Sequence, residues 1–216
     1  MDGKRLLEAL HTAERLKDTT RHCNTTKGRR ESVAEHSWRT ALMAYWMHDE
    51  YPDADLDKVI RMCLIHDLGE CFTGDIPTFQ KTERDEEVEA ALLDAWVAAL
   101  PEPYCMEMCA LYEEMEAQQT VEARIYKALD KLEAVIQHNE SDLASWSPNE
   151  YALNLTYGSE NTAFSPYLTA FRRCIREETL QKLAQAGIQP PNGGTEDAAA
   201  ASSAVDFDLP VKATAE

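Results

Sequence analysis

Apolar residues along the chain recur with the period of an α-helix, and clear period-two alternation typical of β-strands is absent. We therefore predict an all-α fold without a substantial sheet. The helix near the middle of the chain is apolar around most of its circumference, so it should lie at the centre of a helical bundle. The predicted helices are 3–17, 32–49, 56–69, 83–99, 102–117, 119–140 and 164–186.

Three segments lack this periodicity. The stretch 18–31 is rich in Thr, Asn and Arg and is predicted to be a cationic loop, and 141–163 is predicted to be irregular. After Gly187 the apolar pattern gives way to Pro, Gly, Ala, Ser and Asp. We therefore expect one domain over 1–187 and a disordered, acidic tail over 188–216.

Composition excludes several classes of partner. The chain of 216 residues carries 21 Lys and Arg against 39 Asp and Glu, a net charge of -18, which disfavours long nucleic acids. No run approaches the ~20 apolar residues of a membrane span, and no export signal is evident. The cysteines contain no C-x-x-C pair and are expected to be buried, reduced thiols, so we expect a cytoplasmic protein.

An acidic residue interrupts the apolar face of the helix predicted at 56–69. Asp67 occupies the next helical position on that face, where an apolar residue is expected. A buried, ionised carboxylate is costly unless a cation, a metal or hydrogen-bond donors compensate its charge. We therefore expect a positive partner beside it. The apolar positions of this face are Leu56, Val59, Ile60, Cys63 and Leu64.

Three other residues are candidates to join Asp67. His66 precedes it, and His36 lies on the apolar face of a helix whose start is marked by the capping box Ser32-Val-Ala-Glu. Asp130 lies on the central helix among small side chains. Two histidines and two aspartates form a nitrogen and oxygen ligand set that suits a divalent transition metal.

Each of these residues also has a purely structural interpretation. A lone histidine on an apolar face is more often a hydrogen-bonded core residue than a metal ligand. The aspartates have possible local cations as partners. The pairings that would satisfy them are Asp67 with Arg39 or Arg61, and Asp130 with Lys127 or Lys131.

Four blocks in sequence order resemble the HD-domain metal-dependent phosphohydrolases. The longer second and third blocks are similar to the 5'-deoxynucleotidase branch of that superfamily, and the resemblance covers roughly residues 10–140. It implies a helical HD-domain bundle and a homodimer. The blocks are Ser-Val-Ala-Glu-His36, Ile-His66-Asp67-Leu-Gly-Glu70, Thr73-Gly74-Asp75-Ile76-Pro77 and Leu-Asp130-Lys-Leu-Glu.

The resemblance also implies roles for individual residues. Glu70 corresponds to the glutamate that helps to activate water, and Asp75 to an aspartate at the scissile phosphate. Substrate contacts are implied at Arg21, His22, Asp75 and Lys81, but bacterial members carry tryptophan where this chain has His22, which puts sugar and base discrimination in doubt. The implied metal ligands are His36, His66, Asp67 and Asp130.

This chemistry requires one divalent ion, with Mn, Co, Zn, Fe and Mg not distinguished. Such an ion lowers the pKa of water and neutralises charge on a phosphoryl oxygen, while Glu70 takes or relays the proton and Asp75 protonates the leaving 5' oxygen. No histidine lies between Asp67 and Asp130, so a second metal is not expected. The loop cations available for phosphate are Arg21, Lys27, Arg29 and Arg30.

The predicted function is removal of 5'-phosphate from deoxynucleoside monophosphates, with a small nucleotide as the substrate. Two alternatives stay open at this point. One is hydrolysis of another small phosphate ester or phosphodiester. The other is a metal-binding HD scaffold without catalytic activity.

Overall fold

The central helix of the protein is α7 (Val121–Glu140), which buries ten of its residues and packs against helices on several sides. The computed structural model describes residues 1–189, and the all-α prediction is confirmed apart from one small sheet. Among these residues no helix is long and apolar enough to span a bilayer. The other elements are α1 (Gly3–Ala13), β1 (Thr20–Asn24), β2 (Arg30–Ser32), α2 (Val33–Trp46), α3 (Leu56–Ile65), α4 (Glu70–Thr73), α5 (Glu83–Ala98), α6 (Tyr104–Ala117), α8 (Glu150–Thr156), α9 (Ser159–Thr162) and α10 (Pro166–Gln185).

The main hydrophobic core lies where α2, α3, α6 and α10 meet α7. Leu129 and Leu132 of α7 are fully buried, as are Val59 and Met62 of α3. Burial of such side chains supplies most of the free energy that holds helices of this length together. Helix α7 therefore carries functional side chains on a rigid support.

Truncation of Leu132 to alanine is expected to lower the free energy of unfolding by about 2 to 5 kcal/mol, because it leaves a cavity in close-packed core. Urea denaturation followed by circular dichroism measures this. The matched control is Leu92→Ala on α5, where the side chain is 42% exposed and the expected loss is below about 1 kcal/mol. Equal losses at both positions would contradict the assignment of α7 to the core.

The predicted loop at 18–31 is wrong in part, since β1 and β2 form an antiparallel pair within it. The register joins Thr20 to Ser32 and Asn24 to Arg30, with an irregularity between them. The pair escapes detection because its buried positions include Glu31, a charged residue whose partners lie elsewhere in the fold. The strands bring Arg21 and His22 to the functional site.

The segment predicted to be irregular, 141–163, contains the short helices α8 and α9. Helices this short do not show a repeating apolar pattern in the sequence, and their stability depends on tertiary contacts. The Arg172 guanidinium of α10 supplies one such contact, donating from Nε to the Tyr157 carbonyl and from Nη2 to the Asn154 carbonyl, each at 2.8 Å. Thus α10 holds the end of α8 in place.

Several boundaries and burial predictions also differ. Helix α3 ends at Ile65, so 66–69 form a turn rather than a last helical turn. Leu64 is 49% exposed and Met62 takes its place in the core. Only half of the cysteines are buried; those that are not are Cys105, Cys109 and Cys174. Of the predicted disordered tail, only 188 and 189 lie inside the described residues.

Candidate metal centre and phosphate-binding cavity

His36 is positioned by the start of α2. Ser32 and Glu35 form the predicted capping box, in which the Ser32 hydroxyl accepts from the Glu35 amide and the Glu35 carboxylate accepts from the Ser32 amide. This fixes the first turn and buries His36 completely. Its Nδ1 forms a short hydrogen bond with Glu133 of α7. In this tautomer the Nε2 lone pair is left to face the neighbouring helices.

His66 and Asp67 follow the end of α3. His66 Nδ1 donates to the Cys63 carbonyl at 2.8 Å, which leaves its Nε2 lone pair free as well. This Nε2 lies 3.2 Å from His36 Nε2 and 3.2 Å from Asp67 Oδ2. Asp67 Oδ2 is also 3.7 Å from His36 Nε2. Residues 30 positions apart are thus brought together by the packing of α2 on α3.

Asp130 reaches the same place from α7. Its Oδ1 lies 3.4 Å from His36 Nε2 and 3.9 Å from His66 Nε2. Its Oδ2 lies 3.1 Å from Lys127 Nζ and 3.5 Å from Lys131 Nζ, so the local ion pairs expected for this residue are present as well. The structure therefore brings all four sequence-predicted ligands together.

Neither of the arginines weighed as a partner of Asp67 has that role. Arg39 binds Glu133 and Arg61 lies beside Asp55. The nearest cation to Asp67 is Arg21 of β1, with its Nη1 3.7 Å from Oδ2. The resemblance implied Arg21 as a substrate contact, but its position beside Asp67 was not predicted because β1 was expected to be a loop.

The donor set fits a divalent ion. Two imidazole Nε2 atoms that both carry lone pairs repel each other at 3.2 Å unless a proton or a cation lies between them. Asp67 Oδ2 is buried without a hydrogen-bond partner among the described residues. The donor atoms of His36, His66 and Asp67 all lie within 4.8 Å of one another. Glu133 and the Cys63 carbonyl orient the two rings, as partners of metal-binding histidines commonly do.

Charge inside this cluster favours a protonated His36 before metal binding. Burial and the Arg21 charge act to lower the pKa of His36, but Glu133 and Asp130 outweigh them and raise it to about 9. Burial opposes ionisation of Glu133, but His36 and Arg39 lower the pKa of Glu133 to about 2. The carboxylate therefore keeps its charge, and the imidazole holds a proton that a metal must displace.

Metal binding should therefore release about one proton at pH 7 and become weaker as the pH falls. The apparent affinity is expected to rise by about tenfold per pH unit up to pH 9, above which His36 is already neutral. Isothermal titration calorimetry with Mn²⁺ or Co²⁺ in buffers of different ionisation enthalpy measures the proton count. Glu133→Gln removes the carboxylate that raises this pKa, so proton release at pH 8 should decrease. A heat of binding independent of the buffer would refute this expectation.

Glu70 and Asp75 lie on the wall of a cavity of about 250 Å³ beside this cluster. Glu70 is the first residue of α4 and is buried, and its Oε2 has no hydrogen-bond partner within the described part of the chain. Burial, and then the charges of Asp67 and Asp75, raise the pKa of Glu70 to about 10. Burial also raises the pKa of Asp75, against the Arg21 charge. Glu70 therefore holds a proton in the metal-free protein, and the charge of a divalent ion held beside Asp67 would lower this pKa and free the carboxylate to accept a proton.

Four cations line the same cavity, and they differ in part from those expected. Of the predicted loop cations only Arg21 reaches it, with its Nε donating to Glu31 at 3.1 Å. Lys81 lines it too and donates to Glu89 at 2.9 Å. Lys127 and Lys131 were missed as phosphate-binding candidates, although both are close to Asp130 in sequence. The loop cations that point elsewhere are Arg29, which pairs with Glu35, Arg30, which donates to the Arg21 and His22 carbonyls, and the exposed Lys27.

His22, the remaining predicted substrate contact, also lines the cavity, with its ring edge-on to Phe79 at 5.6 Å between centroids. The polar residues of the cavity wall that were not predicted include His138, Glu150 and Asn154. The first is on α7, and the other two are on α8, where no helix was expected. No sequence signal for Glu150 and Asn154 exists beyond their spacing of one helical turn.

Comparison with known proteins agrees with this fold and site. A family model described as HD domain matches residues 13–171, so the chain belongs to the HD domain family. Human 5'-deoxynucleotidase HDDC2 is 36% identical over 169 residues, which are 75% of this chain and 79% of the human protein. The bovine HDDC2 protein is 37% identical over 116 residues, 51% of this chain, and the match spans only about half, 54%, of that relative's length.

Two solved structures share the fold. The crystal structure described as a predicted metal-dependent phosphohydrolase from Magnetospirillum magnetotacticum has a TM-score of 0.68 and 30% identity, and the match covers 82% of this chain and 94% of that one. A conserved hypothetical protein from Pyrococcus furiosus has a TM-score of 0.60 and 28% identity, and the match covers 80% of this chain and 98% of that one. The resemblance inferred from the four sequence blocks is thereby confirmed at the level of the family.

Proposed function

We propose that this protein is a metal-dependent phosphomonoesterase that hydrolyses the 5'-phosphate of deoxynucleoside monophosphates, yielding a nucleoside and inorganic phosphate. The observation that carries the proposal is the convergence of two imidazoles and two carboxylates beside a cavity lined by four cations. Relatives that carry the name 5'-deoxynucleotidase support the choice of substrate.

The ion would be held by His36, His66, Asp67 and Asp130, and we propose a single divalent metal ion, with Mn, Co, Zn, Fe and Mg as the candidates. When bound there, it would supply a lowered pKa for water and neutralisation of charge on a phosphoryl oxygen. The ligand set of nitrogen and oxygen atoms accepts several such ions, so availability decides among them.

The cavity residues bind the phosphate and transfer the two protons of the reaction. Arg21, Lys81, Lys127 and Lys131 hold the phosphate, and the Arg21 side chain is oriented for this by Glu31. Glu70 accepts the proton of the attacking water as the new phosphorus–oxygen bond forms. Asp75 donates a proton to the 5' oxygen as its bond to phosphorus breaks. Burial raises the pKa of Asp75, which suits it to carry that proton.

The test is metal analysis of the purified protein followed by phosphate release from a substrate panel. The panel contains deoxynucleoside monophosphates, ribonucleoside monophosphates and bis(p-nitrophenyl) phosphate as a diester. We expect about one metal per chain and the highest kcat/KM with deoxynucleoside monophosphates. Faster cleavage of the diester would replace the proposal with a phosphodiesterase, and no phosphate release with any metal would indicate a binding scaffold.

We also propose a cytoplasmic homodimer. The six cysteines are all unpaired, which supports a reducing compartment. Trp38 and Trp46 of α2 are 60% and 71% exposed. Large exposed aromatics of this kind support the interface. Light scattering after size-exclusion chromatography measures the mass, and a monomer at micromolar concentration would overturn this part.

A further inference from the structure

A second polar cluster forms part of the cavity wall, built on the carboxylate of Glu150. Glu150 lies on α8 and is buried. Its Oε1 accepts from His138 Nε2 at 2.9 Å and lies 3.2 Å from His22 Nε2, and its Oε2 accepts from the Ser147 amide. The cluster joins the neighbouring helices α7 and α8 to β1, which lies far earlier in the chain.

The Glu150 carboxylate is fixed and charged. His138 Nδ1 lies 2.8 Å from the Ala134 carbonyl, so the ring is fixed by oxygen atoms on both sides. Burial opposes ionisation of Glu150, but the hydrogen bonds from His138 and from the Ser147 amide lower its pKa to about 2. A negative charge in this wall disfavours the phosphate here and favours an uncharged part of a ligand.

Two buried polar atoms beside Glu150 lack hydrogen-bond partners among the described residues. They are Asn154 Nδ2 and His22 Nε2, whose position near Glu150 lacks the geometry of a hydrogen bond. Asn154 is 2% exposed and lies one helical turn after Glu150, so the two side chains are neighbours. Buried polar groups are nearly always satisfied in native proteins, and unsatisfied ones in a cavity wall point to a ligand.

We propose that Asn154, His22 and Glu150 form a subsite for a hydroxyl group on the sugar of the nucleotide substrate, an inference that rests on the proposed function. A hydroxyl oxygen accepts from Asn154 Nδ2–H, and the hydroxyl proton is donated to His22 Nε2. One hydroxyl thus satisfies both orphan atoms. The phosphate binds at the cationic side of the cavity, so the subsite also orients the substrate.

The experiment compares Asn154→Leu, which removes the amide donor at similar volume, with Asn149→Leu at an exposed position before α8. Both metal-loaded variants are assayed with a deoxynucleoside monophosphate and with its 2',3'-dideoxy counterpart, which lacks the one free sugar hydroxyl, at the 3' position. In the native protein we expect KM to be roughly 3- to 10-fold higher for the dideoxy substrate. Asn154→Leu should raise KM for the deoxy substrate by a similar factor and leave kcat nearly unchanged. For the dideoxy substrate, the same substitution should change KM only slightly.

A second measurement does not depend on turnover. Calorimetric binding of the phosphate-free deoxynucleoside should weaken by the same factor in Asn154→Leu and stay unchanged in Asn149→Leu, with melting temperatures confirming that both variants fold. Unchanged KM and Kd in a folded Asn154→Leu protein overturn the subsite. If the loss of affinity in Asn154→Leu depends on the base and not on the sugar hydroxyl, the assignment of the subsite to the sugar is overturned. Absence of phosphate release by the native protein instead overturns the proposed function.

Discussion

Replacing Glu70 with glutamine is expected to lower kcat by about 10²- to 10⁴-fold while the protein keeps its metal. The amide preserves the volume of the side chain but cannot accept a proton from water. Glu70 is not among the four predicted ligands, so metal content measured by mass spectrometry should match that of the native protein. Initial rates of phosphate release at saturating substrate give kcat.

The same substitution separates a chemical role from a structural one. Because the pKa of Glu70 is raised to about 10, the folded metal-free protein retains a proton that the unfolded chain loses above pH 4.5. Its stability therefore falls as the pH rises from 4.5 toward 10, and glutamine should remove this dependence. Glu70→Gln should be at least as stable as the native protein at pH 8 by urea denaturation.

Glu87→Gln on α5 is the matched control, since Glu87 is exposed and should leave kcat and stability unchanged. Native activity in Glu70→Gln would show that another group accepts the proton. Loss of activity together with loss of metal would show that Glu70 supports the metal centre instead.

Replacing Asp67 with alanine is expected to abolish metal binding and, with it, phosphate release. Asp67 Oδ2 is 3.2 Å from His66 Nε2 and 3.7 Å from His36 Nε2. The substitution therefore removes a negatively charged ligand that lies close to both imidazoles. We expect the apparent Kd for Mn²⁺ or Co²⁺ to rise by more than about 100-fold. Titration calorimetry measures this directly.

A ligand that binds only the folded state raises the melting temperature, so the added metal should stabilise the native protein and not Asp67→Ala. Asp57→Ala on α3 is the control, because Asp57 is exposed on the same helix and should leave metal binding intact. Full metal occupancy in Asp67→Ala would place the ion elsewhere. The second acidic group near His36, formed with Glu31 and Glu133, would then be the place to search.

The candidate metal ligands can be selected from the sequence because each conflicts with its local pattern. Asp67 takes the place of an apolar residue in the pattern predicted for a helix over 56–69, although it lies in the turn after α3, and His36 follows a capping box on a buried face. Such conflicts between local pattern and chemistry are typical of functional sites. Only the four blocks in order, however, could join residues from three helices into one ligand set, since helical periodicity says nothing of which faces meet.

The contacts that sequence reasoning missed join residues that lie far apart in the chain. Glu133 meets His36 over 97 positions, and Arg21 reaches Asp67 from a strand whose polar residues resemble a loop. The same holds for Glu150 and Asn154, which lie on a helix too short to show a repeat. Their partners are charges on other elements, and no window of neighbouring residues contains that information.

By itself, the sequence determined the helical class, the central position of α7 and the set of ionisable residues that a metal centre needs, because burial periodicity and capping are local properties. The tertiary structure alone decided which cations face the cavity, how the imidazole rings are oriented and where polar atoms are left unsatisfied. Those properties depend on distances between side chains of different elements, and electrostatic and hydrogen-bond energies change steeply over such distances.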